Sequence, residues 1–241
     1  MLVFMEEQRY YEQEGYLVCR VHAGTKEGGN GSRESSYTAH NRRRFIMRKK
    51  SHISLAKYIV NNVDDSDLKK HRFSFYIGSI LPDIKPSFVY KRHEIEGTYP
   101  YVSQHIKRLT EGRKLVEKKK NRKYYRDLGQ VSHYLADYFT YPHNKIYPGT
   151  LKAHCSYEEK LKRDLRSYLK SKESTKHRKH VEFTNAESLC DFIEMAHHEY
   201  LVHKHGVEDD IQNIVDVNYK ALSGMMELLS KKREEFRVRH S

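Results

Sequence analysis

The chain has 241 residues, enough for one domain with a sizeable core, and its 37% hydrophobic and 32% charged residues suit amphipathic helices with solvated faces. A net charge of +13 favours polyanionic partners such as lipid headgroups, a membrane surface or nucleic acid. Three scattered cysteines and the lack of any apolar stretch of transmembrane length argue against disulfide-rich and membrane-spanning classes.

Residues 1–46 differ in composition from the rest of the chain. The part from 24 to 36 is rich in glycine, serine and charged residues, and an arginine run at 42–44 follows it without apolar periodicity. We therefore expect a flexible or weakly ordered segment before one helical domain at 47–241, with Met47 as an alternative start. Charged residues interrupt the first twenty positions, which argues against a secretory signal peptide and favours a cytoplasmic location.

Apolar residues at helical spacing predict a series of helices from Ser51 onward. The second helix is expected at about 67–80, because Pro82 enforces a stop. Further helices are predicted near 100–118, 123–140, 151–170, 184–204 and 209–233. Thr184 and Glu187 are expected to form a capping box. Since no sustained strand alternation occurs, the chain is predicted to be all-α, a single-domain bundle of about seven or more helices.

Two pairs of metal-binding side chains stand out in the middle of the chain. His133 and Asp137 are four residues apart, and so are His154 and Glu158. Each pair therefore lies on one face of a predicted helix, where both side chains can reach one ion. His143 lies between the pairs, just after a proline that must end the first of these helices.

A surface ion pair is the alternative explanation of His133 and Asp137. Their surroundings include five large apolar residues at helical spacing. These are Leu128, Val131, Leu135, Tyr138 and Phe139. The stripe indicates that His133 and Asp137 face inward. Because buried imidazoles and carboxylates need partners or a metal, the two pairs together favour a metal site.

A longer ordered set of histidines and acidic residues contains these pairs. It consists of His52, Gly78-Ser79-Ile80-Leu81-Pro82-Asp83, His93, His133-xxx-Asp137, His143 and His154-xxx-Glu158. This order resembles the zinc-dependent phospholipase C family over about residues 50–165. The family shares an all-helical fold with secreted zinc nucleases that cleave single-stranded nucleic acids, so the resemblance implies a multinuclear zinc site in a cleft of the bundle.

The resemblance implies two to three zinc ions. The ligands that it implies for one ion are Asp83, His93, His133 and Asp137. Those that it implies for another ion are His143, His154 and Glu158. His52, with Asp137 as a bridging carboxylate, resembles half of a third site. The family completes that site with an N-terminal tryptophan, and this chain contains no tryptophan.

The chemistry implied by the resemblance is hydrolysis of a phospholipid headgroup by a zinc-activated water. Asp83 would position or deprotonate that water as the general base. The charge of the zinc ions exceeds that of the carboxylates, so a phosphodiester anion would be attracted. Tyr90 is expected to form an aromatic wall for the headgroup. Ile84 lies where choline-selective members carry an aromatic residue, so the identity of the preferred headgroup stays open.

Two other functions compete with this interpretation. A zinc-dependent nuclease on the same site would suit the basic surface equally well. A non-catalytic helical zinc-binding protein would need closed sites, whereas a ligand set rich in shared carboxylates favours chemistry. The expected partners are a phospholipid or other phosphodiester, a peripheral membrane surface and, alternatively, nucleic acid. The relatives are secreted, in contrast to the location expected from the first twenty residues.

A further histidine patch lies on a late predicted helix. Its members are His197, His198, His203 and His205, together with Glu194 and Glu199. Glu194 and His198 have metal-capable spacing, but the family resemblance does not extend to them. We interpret the patch as a solvated helix end.

Overall fold

The computed structural model describes residues 49–84, 94–111, 121–176, 179–203 and 205–240. Within these ranges it contains nine α-helices and no strand. They are α1 (49–62), α2 (Ser66–Lys70), α3 (Arg72–Gly78), α4 (Ile95–Thr110), α5 (Asn121–Tyr138), α6 (Leu151–Tyr168), α7 (Glu173–Lys176), α8 (Ala186–Val202) and α9 (Val207–His240). The all-α prediction is confirmed. Among the described helices, none combines the length and apolar character needed to cross a bilayer.

Helix α5 is the central helix of the bundle. Most of its residues are buried, and it packs against α3, α4 and α9. Two glycines let α3 and α5 approach backbone to backbone. A Cβ atom on Gly78 would lie 2.0 Å from the Arg126 carbonyl oxygen, and one on Gly129 would lie 2.3 Å from that of Phe75. This close approach holds the end of α3 beside the middle of α5.

The chain leaves α3 through a series of tight turns. The backbone N–H of Ser79 donates to the Phe75 carbonyl, that of Leu81 donates to the Gly78 carbonyl, and that of Ile84 donates to the Leu81 carbonyl. These hydrogen bonds form a turn over residues 79–84 that carries Asp83. The predicted helix at 67–80 is accordingly two helices with a break at His71, followed by a turn.

Some predicted helix ends are wrong, for identifiable reasons. Helix α8 begins two residues later than expected, because Asn185 is the N-cap: it accepts the Ser188 N–H, and Ser188 Oγ accepts the Asn185 N–H in return. The capping box is therefore formed by Asn185 and Ser188, one residue after the predicted pair of Thr184 and Glu187. Helix α4 begins five residues before Pro100, which lies inside it. Residues 1–46, Met47 and the end of the helix predicted at 100–118 lie outside the described residues.

Candidate metal centre

The first group of candidate ligands lies where α1, α5 and the turn after α3 meet. It comprises His52 on α1, Asp83 in the turn, and His133 and Asp137 on α5, all of them buried. Donor atoms of His52, Asp83 and His133 lie within 4.8 Å of one another. Asp137 Oδ2 is 3.1 Å from His133 Nε2. The four side chains therefore converge on one small volume.

The backbone orients the His133 ring. Nδ1 of His133 lies 2.9 Å from the Ser79 carbonyl oxygen, which can only accept, so Nδ1 carries a proton and donates it. Nε2 then faces the two carboxylates, at 3.8 Å from Asp83 Oδ1. A metal-binding histidine commonly donates its other ring N–H to a carbonyl in this way, which fixes its tautomer and orientation. The His52 ring stacks on His133 at a centroid distance of 4.0 Å.

Opposing charges shift the pKa values of this group. Burial acts to lower the pKa of His133, but Asp137, Asp83 and the Ser79 carbonyl outweigh it and raise the pKa to about 9. Burial lowers the pKa of His52, and the His133 charge lowers it further. Burial acts to raise the pKa of Asp137, yet the neighbouring imidazoles hold it well below its usual range. The group thus combines anionic oxygens with imidazole nitrogens in a buried place.

Asp83 provides the clearest sign that a cation fits here. Its Oδ2 atom is buried and has no hydrogen-bond partner among the described residues. A buried carboxylate oxygen without a partner is costly unless a cation or a donor satisfies it. Imidazole nitrogen and carboxylate oxygen are both ordinary zinc ligands. The donor set therefore fits zinc.

The second group lies at the edge of the first and is half-buried. Its members are His143, in the 3₁₀ turn Tyr141–His143, and His154 and Glu158, one helical turn apart on α6. Glu158 Oε1 lies 3.1 Å from His143 Nε2 and 3.0 Å from His154 Nε2. Donor atoms of all three residues lie within 4.8 Å of one another.

Asp137 connects the two groups. Its Oδ1 atom lies 3.4 Å from His52 Nε2 and 3.7 Å from His143 Nδ1, while Oδ2 faces His133. One carboxylate of α5 therefore contacts imidazoles from α1, from its own helix and from the 3₁₀ turn. Asp137 is the carboxylate for which the resemblance implies a bridging role, which stays a prediction.

A buried aspartate of α9 holds the second group in place. Asp210 is fully buried and accepts three hydrogen bonds: the Tyr141 N–H at 2.8 Å, the Tyr157 hydroxyl at 2.8 Å and the Tyr200 hydroxyl at 2.7 Å. Burial raises its pKa to about 6, although the three donors oppose that shift. Tyr141 opens the turn that carries His143, and Tyr157 directly precedes Glu158. No local pattern in the sequence distinguishes Asp210, so its role could not be predicted.

His197 supports the same turn from α8. It is buried, and its Nε2–H donates to Asn144 Oδ1 at 2.9 Å. The Asn144 amide in turn donates to the Tyr138 and Thr140 carbonyls. The interpretation of the late histidine patch as a solvated helix end is therefore wrong for His197. Its spacing from Ile193 and Tyr200, which are also buried, is the signal that could have revealed it.

Of the other three histidines of the patch, two are exposed to solvent and one packs against Tyr141. His198 and His203 are exposed, as expected. His205 is half-buried and stacks on Tyr141, with ring centroids 4.4 Å apart. No candidate metal group among the described residues includes any member of the patch.

The structure brings together the predicted ligands that it describes. These are His52, Asp83, His133, Asp137, His143, His154 and Glu158. The predicted ligand His93 and the predicted headgroup contact Tyr90 lie outside the described residues. His52 lies near Asp137 and also near Asp83 and His133, and the number of ions that these side chains hold stays a prediction.

Comparisons with known proteins bear on this site directly. A family model described as zinc-dependent phospholipase C matches residues 51–207, more than half of the chain, and this range includes every ligand of both groups. No curated protein and no solved structure matches the chain significantly. The matched range begins just before His52 and ends at the first residue of α9, so it includes the elements that carry the candidate ligands but not Asp210. The chain belongs to the zinc-dependent phospholipase C family.

Proposed function

We propose that the protein is a zinc-dependent phosphodiester hydrolase that cleaves a phospholipid to diacylglycerol and a phosphorylated headgroup. One observation supports this proposal most strongly: Asp137 contacts His52 of the first ligand group and His143 of the second, in a chain that belongs to the zinc-dependent phospholipase C family. Ligands shared between neighbouring sites are typical of metal centres that perform chemistry, whereas structural zinc sites are closed and separate.

The proposed ligands follow the two groups. Asp83, His133 and Asp137, with His93 from the family pattern, would hold one ion, and His52 with Asp137 would contribute to another. His143, His154 and Glu158 would hold the ion of the second group. Bound zinc supplies Lewis acidity, which lowers the pKa of a water to about 7 and polarises a phosphoryl oxygen.

Asp83 is the proposed general base. A carboxylate has two oxygens, so one oxygen of Asp83 can hold an ion while the other accepts a proton from the attacking water. The water oxygen then forms a bond to phosphorus, the bond from phosphorus to the glycerol oxygen breaks, and the glycerol oxygen takes up the proton that Asp83 accepted. The Ser79 carbonyl keeps His133 oriented during this process.

The decisive experiment compares Asp83→Asn with the control Asp64→Asn, an exposed aspartate that pairs with Lys69. Each protein is incubated with phosphatidylcholine vesicles and, separately, with single-stranded DNA, and its zinc content is measured by elemental analysis. We expect at least about a hundredfold loss of phospholipid turnover for Asp83→Asn, with most zinc retained, and no loss for the control. Unchanged turnover would remove Asp83 as the base, and fewer than two zinc ions per wild-type chain would refute the multinuclear site.

The same experiment tests the nuclease alternative. The net charge of +13 favours any phosphodiester polyanion, and nucleic acid is one. Turnover of DNA without turnover of vesicles would establish the nuclease. Zinc binding without either activity would establish a non-catalytic protein.

A further inference from the structure

One short segment exposes three large apolar side chains. Phe73 is 66% exposed, Ile77 is 53% exposed and Ile84 is 51% exposed. Phe73 and Ile77 lie one turn apart on α3, and Ile84 ends the turn that follows. We call these three residues the apolar ridge. Exposed apolar residues are ordinarily scattered singly, so the pair on one face of α3 indicates a contact surface.

The side chains of the ridge do not take part in packing of the core. Helix α3 turns Phe75 and Gly78 toward α5, where Gly78 touches the α5 backbone. Phe73 and Ile77 lie on the other side of the same helix. The half-buried Tyr76 borders the ridge, with its ring 6.1 Å from that of Phe73 in an edge-to-face arrangement. Helix α3 is therefore apolar on two sides, only one of which packs against the described helices.

The ridge and the candidate metal centre share one segment of chain. Ile84 directly follows Asp83, the proposed general base. Ser79, in the same turn, receives the hydrogen bond that orients His133. A surface that contacts Ile84 therefore lies one residue along the chain from the buried carboxylate. For an enzyme whose substrate is embedded in a bilayer, contact of the bilayer with this segment would bring the substrate toward the metal centre.

Cationic side chains precede the ridge. Lys69, Lys70 and Arg72 are exposed, and the Arg72 guanidinium lies 4.8 Å from the centre of the Phe73 ring. Lys69 pairs with Asp64, but that pair is itself exposed and weak. Basic residues beside aromatic and aliphatic ones are the combination that binds the interface of an anionic membrane. A protein partner would not require this charge.

We propose that the apolar ridge docks the protein onto a phospholipid bilayer that carries anionic headgroups. Phe73 and Ile77 enter the interface between headgroups and acyl chains, while Lys69, Lys70 and Arg72 contact the lipid phosphates. This inference rests on the proposed function, because it supplies the surface on which that function takes place. Binding to vesicles can nevertheless be measured without any turnover, so the two proposals can fail separately.

The test uses sedimentation with vesicles of phosphatidylcholine containing about 30% phosphatidylserine. The variant is Phe73→Ser with Ile77→Ser, and the matched control is Met195→Ser with Val202→Ser, two residues of α8 that are similarly exposed. We expect the partition coefficient of the ridge variant to fall at least about tenfold and that of the control to stay at the wild-type value. Equal binding by all three proteins, or an equal loss in the control, would overturn the proposal.

Turnover separates docking from catalysis. For the ridge variant, the ratio of vesicle turnover to turnover of a monomeric short-chain phosphatidylcholine should fall about tenfold, in parallel with binding. An unchanged ratio would overturn the proposed docking surface. A wild-type protein that binds vesicles through the ridge but hydrolyses neither substrate would leave docking intact and refute the proposed function.

A spectroscopic variant tests insertion directly and guards against misfolding of the serine variant. The chain contains no tryptophan, so Phe73→Trp introduces a single tryptophan on the ridge, and Phe236→Trp introduces one on an exposed position of α9. Addition of the same vesicles should shift the emission of Phe73→Trp to shorter wavelength and leave that of Phe236→Trp unchanged. An emission of Phe73→Trp that is already blue-shifted and does not respond would show that another part of the chain covers the ridge, which would overturn the proposal.

Discussion

The two ligand groups differ in how the fold supports them. In the first group the side chains of His133 and Asp137 are 0% and 6% exposed, and their helix α5 lies in the core. In the second group His154 and Glu158 are 20% and 17% exposed, and His143 sits in a short turn. The first group therefore derives its geometry from core packing. The second depends on hydrogen bonds from α8 and α9.

This difference separates two tasks within one site. A deeply buried group excludes water and strengthens the electrostatic interactions of its carboxylates. A half-buried group is open to exchange of metal and to entry of a substrate. Asp137 belongs to both, since its two oxygens face His133 on one side and His52 and His143 on the other. The variants below test whether the groups respond separately.

The largest effect is expected for His133→Ala. This change removes the most deeply buried imidazole and leaves Asp83 and Asp137 close together without the positive charge between them. Zinc affinity of the first group should fall by more than about a hundredfold, because even loss of an outer contact costs ten- to a hundredfold. Equilibrium dialysis with elemental analysis measures this. The control is His180→Ala, an exposed histidine paired with Glu227, and equal zinc loss there would contradict the assignment.

A smaller effect is expected for His154→Ala, which breaks only the second group. One imidazole is lost beside Glu158, while every contact of His133 remains. We expect about a ten- to hundredfold loss of zinc affinity at one site and unchanged affinity at the other. Chelator titration followed by metal analysis resolves the two steps. Loss of both ions together would show that the groups form one cooperative unit, and the comparison between them would fail.

Asp210→Asn should loosen the second group from a distance. An asparagine offers one acceptor oxygen where Asp210 now receives the Tyr141 N–H and the hydroxyls of Tyr157 and Tyr200. We expect about a tenfold increase in release of zinc from the second group and a cost of about 1–3 kcal/mol in the free energy of unfolding.

Two measurements distinguish positioning from general destabilisation by Asp210→Asn. Chelator-induced release from the first group should keep its wild-type rate, whereas a merely structural defect would accelerate both groups. Asp209→Asn, an exposed neighbour on the same helix, is the matched control and should change neither rate.

The parts of the site that could be predicted from the sequence are local ones. His133 with Asp137, and His154 with Glu158, follow from helical spacing alone, because one turn of helix brings each pair together. The joining of His52 to Asp137 across the bundle came only from the resemblance to a family. Periodicity on one helix carries no information about which other helix faces it.

The support of the second group could not be predicted in the same way. Asp210 meets the Tyr141 N–H from 69 residues away, and nothing in either segment indicates the other. The fold class was more accessible, since amphipathic periodicity recurs along the chain. The ends of the helices were harder to predict. Asn185 and Ser188 can form a capping box as well as Thr184 and Glu187 can, and the choice between the two pairs depends on details of the turn.

The smallest effect concerns the pH dependence contributed by His197. Burial lowers the pKa of this imidazole, so the folded protein keeps it neutral where it donates to Asn144. The unfolded chain takes up a proton near the ordinary pKa of about 6.5, so the folded state loses stability as the pH falls below that value. His197→Gln cannot take up this proton. The stability of the wild type relative to that variant should therefore decrease from about pH 7.5 to about pH 5.5 in denaturant titrations of the metal-free proteins.

The exposed neighbour His198 provides the control for this measurement. His198→Gln removes no buried imidazole, so it should leave the pH dependence of stability unaltered. A His197→Gln protein whose stability follows the wild type at every pH would mean that His197 takes up its proton in the folded state. The contact between His197 and Asn144 would then be open to solvent. The turn that carries His143 would lack a buried hydrogen bond from α8 and would resemble an ordinary surface loop.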